Sequence, residues 1–289
     1  MHSGQKQKIE CALYVVATPI GNLRDISLRA LDVLTSADTV AAEDTRNTSH
    51  LLTHYGISAN RLLALHQHNE RGAAEKIIAL LQQGQSVALV TDAGTPAVSD
   101  PGAVLVEMVR EAGFRVIPIP GASAVVAALS ASGLTAPHSL FYGFLPNKSA
   151  ARRAVLQTLA DHPYTLVFYE APHRILESVA DLQTVFGDKR QIVLARELTK
   201  LFENIHRCSL GEAMAWLNSD PNNQRGEFVL LVEAAETKQD GLSSEVEKTL
   251  SLLLEELPLK QAVQLAVKIS GGNKNELYQR ALEIKAAQD

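Results

Sequence analysis

Five short segments concentrate the residue types that can do chemistry. The densest is DAGTPAVSDPG, 92–102, where eleven residues hold two aspartates, two glycines, two prolines and hydroxyls at Thr95 and Ser99. Proline stiffens such a loop and glycine exposes its backbone, so it suits recognition of a polar or zwitterionic small molecule. EDTR, 43–46, sets two carboxylates beside a guanidinium, enough to orient a polar substrate or supply a base. Equally, Asp44 or Thr45 could simply cap the next helix. HQHNE, 66–70, would need further ligands to hold a metal, and its Asn69 reads better as an N-cap. TPIGNLRD, 18–25, carries Gly21, which permits close backbone approach. PIPGASA, 118–124, runs into a helix with small residues that can turn backbone N–H groups toward a carboxylate. Neither GxGxxG nor GxxxxGK[ST] occurs, so an ordinary dinucleotide or P-loop site lacks its fingerprint.

These segments need elements to position them. Over roughly the first 135 residues, apolar runs at 13–17, 39–43, 62–66, 86–91 and 114–119 alternate with helical patterns at 27–36, 45–55, 69–83, 101–112 and 123–132. Strands apolar on both faces, alternating with helices, predict a parallel sheet covered by helices. Ligands of such sheets bind beyond the carboxyl ends of the strands, which makes these loops site elements together. Ser27 and Ser123 are placed as N-caps; Gly56, Gly84 and Gly113 are placed to end helices.

The pattern changes at 133–138, where Gly, Thr and Pro mark a linker. A second block reads as strands 140–145, 165–169, 192–196, 204–208 and 227–232 with helices 149–160, 174–186 and 211–218. The short break between 192–196 and 204–208 predicts a mixed sheet. Beyond the polar stretch 236–241, Ser244 and Glu247 form a capping-box pattern ahead of Leu250, Leu253 and Leu254. Leu257 and Pro258 break that helix, and 260–269 and 275–285 flank a turn in helix-turn-helix style. The expected division is 1–135, 136–236 and 241–289.

Composition sets limits. The chain has 289 residues, 46% hydrophobic and 20% charged, which suits about two globular domains needing no disulfide or metal staple. Cys11 and Cys208 lie far apart without a CxxC or Cys/His cluster, as fits a reducing cytoplasm. Lys6 and Lys8 before the apolar run 11–17 mimic a signal peptide, but Pro19, Arg24 and Asp25 follow too soon, and a buried strand is expected. No stretch approaches the roughly 18 to 20 apolar residues that span a bilayer, so a soluble cytoplasmic protein without a membrane partner is expected. The net charge of −5 counts against indiscriminate phosphate binding. Residues 141–225 hold ten Lys/Arg against nine acids, and 241–289 hold six against seven. Any nucleic-acid recognition would then depend on local clusters such as Lys148, Arg152 and Arg153, which could instead form a solvated helix face.

In order along the chain stand VATPIGNLRDIS, AAEDTRNTSHLL, LHQHNE, TDAGTPAVSDPG, PIPGASAVVAALSASGL, FYGFLP, FYEAPHR, LARELTK and RGEFVLLVE, followed by an LPLK and NELY tail. With these motifs the sequence closely resembles the ribosomal RNA small-subunit methyltransferase I family, a branch of the tetrapyrrole-methylase superfamily. The resemblance implies an α/β fold: two αβ domains of tetrapyrrole-methylase type with S-adenosylmethionine in the cleft between them, plus a small helical C-terminal unit. It implies a homodimer that methylates the ribose 2′-oxygen of a decoding-region cytidine in 16S rRNA within the small ribosomal subunit. Asp92, Ala93, Gly94 and Thr95 would line the donor site, with Pro19, Ser123, Ala124, Glu170 and Leu198 on or near it. Several relatives have PGP where this chain has Pro120, Gly121 and Ala122, a small change beside a small-residue turn.

The implied chemistry is in-line attack of a ribose hydroxyl on a sulfonium methyl, where the protein chiefly aligns the reactants and helps remove a proton. It requires no metal in principle. Glu43, Asp44, Glu170, Glu197 and Lys200 are candidate proton acceptors, unranked; a buried lysine can serve if its pKa is lowered. Arg46, Arg152, Arg153, Arg174, Arg196 and Lys200 suit RNA contacts, and several could instead be structural ion-pair partners. Two rival readings are a tetrapyrrole-precursor C-methyltransferase and a DNA-binding regulator that senses S-adenosylmethionine.

Overall fold

A computed structural model describes residues 9–235 and 244–286. Lys6 and Lys8, the polar stretch 236–241 and the side chain of Ser244 lie outside the described residues, and with them the signal-peptide and capping-box readings. The chain forms two compact units, Met1–Ala235 and Glu236–Asp289.

The larger unit holds two sheets. The first contains β1 (Leu13–Val16), β2 (Thr39–Ala42), β3 (Leu62–Ala64), β4 (Val87–Val90) and β5 (Val116–Ile119), all parallel, in the order β3-β2-β4-β1-β5. Between them run α1 (Leu28–Ser36), α2 (Thr45–His54), α3 (Glu70–Gln82) and α4 (Ala103–Glu111), and α5 (Ala124–Ala131) follows β5. β2 and β4 are buried along their whole length, as four-residue runs without a polar face require when helices cover both sides. On one side Val33, Leu34 and Leu52 pack over the strands; on the other Ile77, Leu81, Leu105 and Val109 do so.

The expected caps divide. Ser27 Oγ accepts from the Ala30 N–H at 3.1 Å, and Gly56, Gly84 and Gly113 turn left-handed just past α2, α3 and α4. Ser123 precedes α5 without capping it through its side chain. Asn69 also leaves its helix uncapped: Oδ1 accepts from the His66 N–H at 2.8 Å while Nδ2 donates to the Ala64 carbonyl at 3.1 Å. The amide closes the loop it sits in because both backbone groups lie nearer than the helix N–H groups.

The second sheet is mixed. It contains β6 (Ser139–Phe144), β7 (Thr165–Glu170), β8 (Gln191–Arg196), β9 (Asn204–Ser209) and β10 (Phe228–Val232) in the order β6-β7-β10-β8-β9. Only β6 and β7 pair in parallel. α6 (Ser149–Leu159), α7 (Ile175–Phe186) and α8 (Leu210–Ser219) cover one face through Leu156, Val179, Leu182 and Leu217. The other face, with Val167, Val193, Ala195 and Val229, packs against Ala128, Ala124 and Val125 of α5 and against Ile20. That apolar seam joins the two sheets and sets the carboxyl-end loops of the first beside the second.

In the smaller unit α9 (Ser244–Glu256), α10 (Leu259–Ser270) and α11 (Lys274–Ala286) share a core of Leu250, Leu254, Val263, Ala266 and Leu277. Gly271 turns left-handed between the last two helices, and Arg280 bridges Glu247 and Glu283 at 2.7 Å each. Among the described residues no helix is long and apolar enough to cross a membrane.

Candidate active site

The loops after β1, β4 and β5 are tied together before any ligand is considered. Thr18 and Gly94 form a two-way backbone bridge at 2.8 and 3.1 Å, and the Thr18 hydroxyl donates to the Thr91 carbonyl at 3.1 Å. Thr95 Oγ1 donates to the Ala122 carbonyl at 3.2 Å. From α3, Glu70 Oε1 accepts the N–H groups of Gly102, Val104 and Leu105 at 2.8, 2.9 and 3.3 Å. A carboxylate on the first N–H groups of α4 satisfies orphan donors and suits the helix dipole. The sequence HQHNE therefore serves the 92–102 loop. Inside that loop Ala97 and Ser99 hold positive φ, 66° and 64°, a strain of about 1–3 kcal/mol each that such ties must offset.

A cavity of about 390 Å³ opens between these loops and the second sheet. One side is polar: Glu43, Asp92, Asp100, Thr91, Thr95 and Ser123. The remainder mixes apolar Ile20, Tyr169, Ala195, Leu198, Phe228 and Val229 with charged Glu170, Lys200 and Glu227. Glu43 Oε2 accepts from Thr91 Oγ1 at 2.6 Å. Burial, reinforced by the charge of Glu43, pushes the Asp100 carboxyl up to about 6. Burial also raises Asp92, whose Oδ2 accepts from Asn47 Nδ2 at 3.0 Å.

The expected donor-site residues Asp92, Ala93, Gly94, Thr95, Ser123, Ala124, Glu170 and Leu198 all border this cavity; Pro19 borders its neighbour. Three of the expected proton acceptors are engaged by partners within the fold. Asp44 caps α2 and pairs with Arg46 at 2.6 Å, and the Arg46 hydrogen bonds hold its carboxyl down to about 2. Glu170 has a wholly enclosed side chain: it accepts from Ser178 Oγ, from the Ala171 N–H at 2.9 Å, and pairs with Arg174 at 3.3 Å. Lys200 donates to Glu197 at 2.8 Å and to Glu227 at 2.7 Å. Burial works to lower its pKa, but the two carboxylates outweigh that and raise it, so it remains an ammonium. Glu197 is the other member of that pair and is held lowered by it against the pull of burial. Glu43 keeps its place on the wall, its carboxylate in no ion pair among the described residues.

The expected RNA-contacting arginines separate in the same way. Arg152 is completely buried, with Nε on Asp181 Oδ2 at 2.7 Å, and presents nothing to a surface. Arg196 is buried and donates to the carbonyls of Arg225 and Phe202 at 3.3 and 3.0 Å. Arg174, with Nη2 on the Leu145 carbonyl at 2.6 Å, locks FYEAPHR to FYGFLP. These three are engaged within the fold. Arg46 and Arg153 are exposed.

Sequence reasoning passed over Asp100, Tyr169, Phe228 and Glu227. Asp100 stands in the loop already singled out; the signal for the others was their place in FYEAPHR and RGEFVLLVE, near strand ends, where Tyr169 faces the seam and Phe228 the opposite core.

The RELTK turn leans on the first sheet's loops. Glu197 and Thr199 take positive φ, 51° and 66°, and Thr199 Oγ1 accepts from the Asn22 N–H at 3.1 Å. A Cβ on Gly21 would stand 2.4 Å from Lys200 Cγ, so only glycine lets this lysine stem pass.

Fold and cavity together define a class, which comparison with known proteins makes specific. Residues 12–214 match the family of Tetrapyrrole (Corrin/Porphyrin) Methylases, and 240–285 match the RsmI C-terminal HTH domain. The solved methyltransferase CobJ aligns at a TM-score of 0.59 and 20% identity, over 80% of this chain and 97% of its own. Uroporphyrin-III C-methyl transferase from Thermus thermophilus, complexed with S-adenyl homocysteine, aligns at 0.54 and 16% identity over 77% and 97%. The architecture is that of the tetrapyrrole methylases. Ribosomal RNA small subunit methyltransferase I of Escherichia coli O157:H7 is 52% identical over 271 residues, 94% of each chain. Its counterpart in Pseudomonas aeruginosa is 53% identical over 273 residues, 94% of this chain and 96% of that one. The chain belongs to the ribosomal RNA small subunit methyltransferase I family.

Proposed function

We propose that this protein transfers a methyl group from S-adenosylmethionine to the ribose 2′-oxygen of a decoding-region cytidine in 16S rRNA. The observation that carries the donor half is the cavity itself, which combines acidic side chains with a broad apolar surface. The donor, when bound, supplies an activated methyl on a cationic sulfur. Asp92 and Asp100 give the site the negative potential a cation needs, and Ile20, Leu198, Phe228 and Val229 offer apolar cover for an adenosine. Ser123 and Ala124, at the start of α5, present a hydroxyl uncommitted to capping and backbone polarity suited to a carboxylate. Glu43 is the proton acceptor in this reading, and Arg46 and Arg153 the RNA contacts. The acceptor half rests on the family's name. We further take 1–135, 136–236 and 241–289 as the domains, a homodimer as the working form, the assembled small subunit as substrate and the cytoplasm as the setting. Labelled methyl from S-adenosylmethionine should pass to small subunits lacking the modification and map to the ribose of one cytidine. Transfer to uroporphyrinogen instead would select the macrocycle reading.

A further inference from the structure

A second cavity, of about 550 Å³, adjoins the first. Asp92, Lys200 and Glu227, with Thr91, Ala93 and Ile20, belong to the walls of both. The rest of its wall comes from two sources. The loop after β1 gives Pro19, Gly21 and Leu23. α2 gives Asn47, His50, Leu51 and His54, spaced so that they share one helix face. Tyr55 donates to the Leu23 carbonyl and holds that loop against the end of α2. His50 and His54 are exposed and stand outside the apolar clusters that build the first sheet.

We propose that this second cavity seats the acceptor nucleotide, with His50 and His54 in contact with it and its reacting oxygen turned toward the strip Asp92, Lys200, Glu227. The assignment rests on reading the first cavity as the donor site. Methyl transfer needs the reacting atoms about 3–3.5 Å apart and aligned, so the acceptor must occupy space continuous with the donor's. The shared strip provides that continuity. The two cavities also differ in the way two such ligands differ. Both are largely apolar, but the second adds imidazoles and the Asn47 amide, which hydrogen-bond to ribose and base edges and give a base a flat face to stack on. Lys200 lies between them, held as an ammonium by Glu197 and Glu227, and presents an N–H donor to an acceptor oxygen in a strip that is acidic overall.

The test uses the full-length protein and three exposed substitutions: His50→Ala, His50→Gln and His54→Trp, the last filling the cavity from a helix face. S-adenosylmethionine affinity is read by calorimetry, and KM and kcat for unmodified small subunits are read from labelled-methyl transfer. His50→Ala should raise the subunit KM about fivefold or more, His50→Gln should recover most of that, and His54→Trp should raise KM furthest. Donor affinity should stay within about twofold in all three. Unchanged subunit KM in every variant would place the acceptor elsewhere. A parallel loss of donor affinity would make the second cavity part of the donor site. Both outcomes differ from failure of the donor reading, which would show as wild-type protein that binds no S-adenosylmethionine.

Discussion

Replacing Arg152 by alanine should cost the fold heavily and the RNA interaction nothing specific. The guanidinium has no exposed surface, and its partner Asp181 is about as enclosed, with a side-chain exposure of 8%. Nε meets Asp181 at 2.7 Å, Nη1 reaches the carbonyls of Pro146 and Asn147 at 3.4 Å, and Ser149 Oγ donates to the other Asp181 oxygen at 2.9 Å. Truncation leaves that carboxylate buried without its cation, a loss of about 3–5 kcal/mol. A unit of this size shifts its melting temperature by about 2–4 °C per kcal/mol, so Tm should fall by about 6–20 °C. Circular dichroism melts measure this directly. Arg153→Ala, half-exposed and 3.7 Å from the same carboxylate, should cost under about 1 kcal/mol. Arg152→Met combined with Asp181→Leu should recover most of the loss, because neither charge is then stranded. An unchanged melt in Arg152→Ala with weakened subunit methylation would refute the reasoning and return this residue to the RNA surface.

Two further outcomes follow from the cavity. Asp100 titrates at about 6, so it is anionic above that pH and neutral below it. S-adenosylmethionine affinity should therefore be held at pH 7 and fall about tenfold by pH 5, and Asp100→Asn should bind weakly at both with the pH step gone; a step that survives the substitution assigns it to another group. Gly21→Ala drives a methyl into the stem of Lys200 and should destabilise by about 1–3 kcal/mol in urea melts while lowering methyl transfer, whereas a neutral effect would mean the stem yields freely.

The alternation of strands and helices, and the loops that gather at the strand ends, were readable from β1, β2, β4 and β5 because each is predominantly apolar. The mixed character of the second sheet was readable from the short link between β8 and β9. What was hidden is side-chain fate. Arg152 looked like part of a basic surface with Lys148 and Arg153, yet its spacing from Leu156 and Leu159 already placed it on the buried face of α6. Asp181, which neutralises it, is on another helix, and nothing local announces the pair. Lys200 is similar: its pKa is set partly by Glu227, far along the chain. The raised pKa of Asp100 comes from enclosure by elements that meet only when the chain has folded.

The ties on the 92–102 loop come mainly from the first sheet's own elements: Thr18 after β1, Ala122 after β5 and Glu70 on α3. The part of the first cavity that this loop forms is thus largely self-contained in the N-terminal half. The neighbouring cavity draws instead on the surface of α2 and on a turn from the second sheet. Apart from the bond from Asn47 to Asp92, those parts are not among the ties on the loop. Such an arrangement is modular in evolutionary terms: one half can keep a reagent while the surroundings exchange the molecule it is spent on. That is how a fold shared with methylases of corrins and porphyrins could serve a polymer as large as ribosomal RNA.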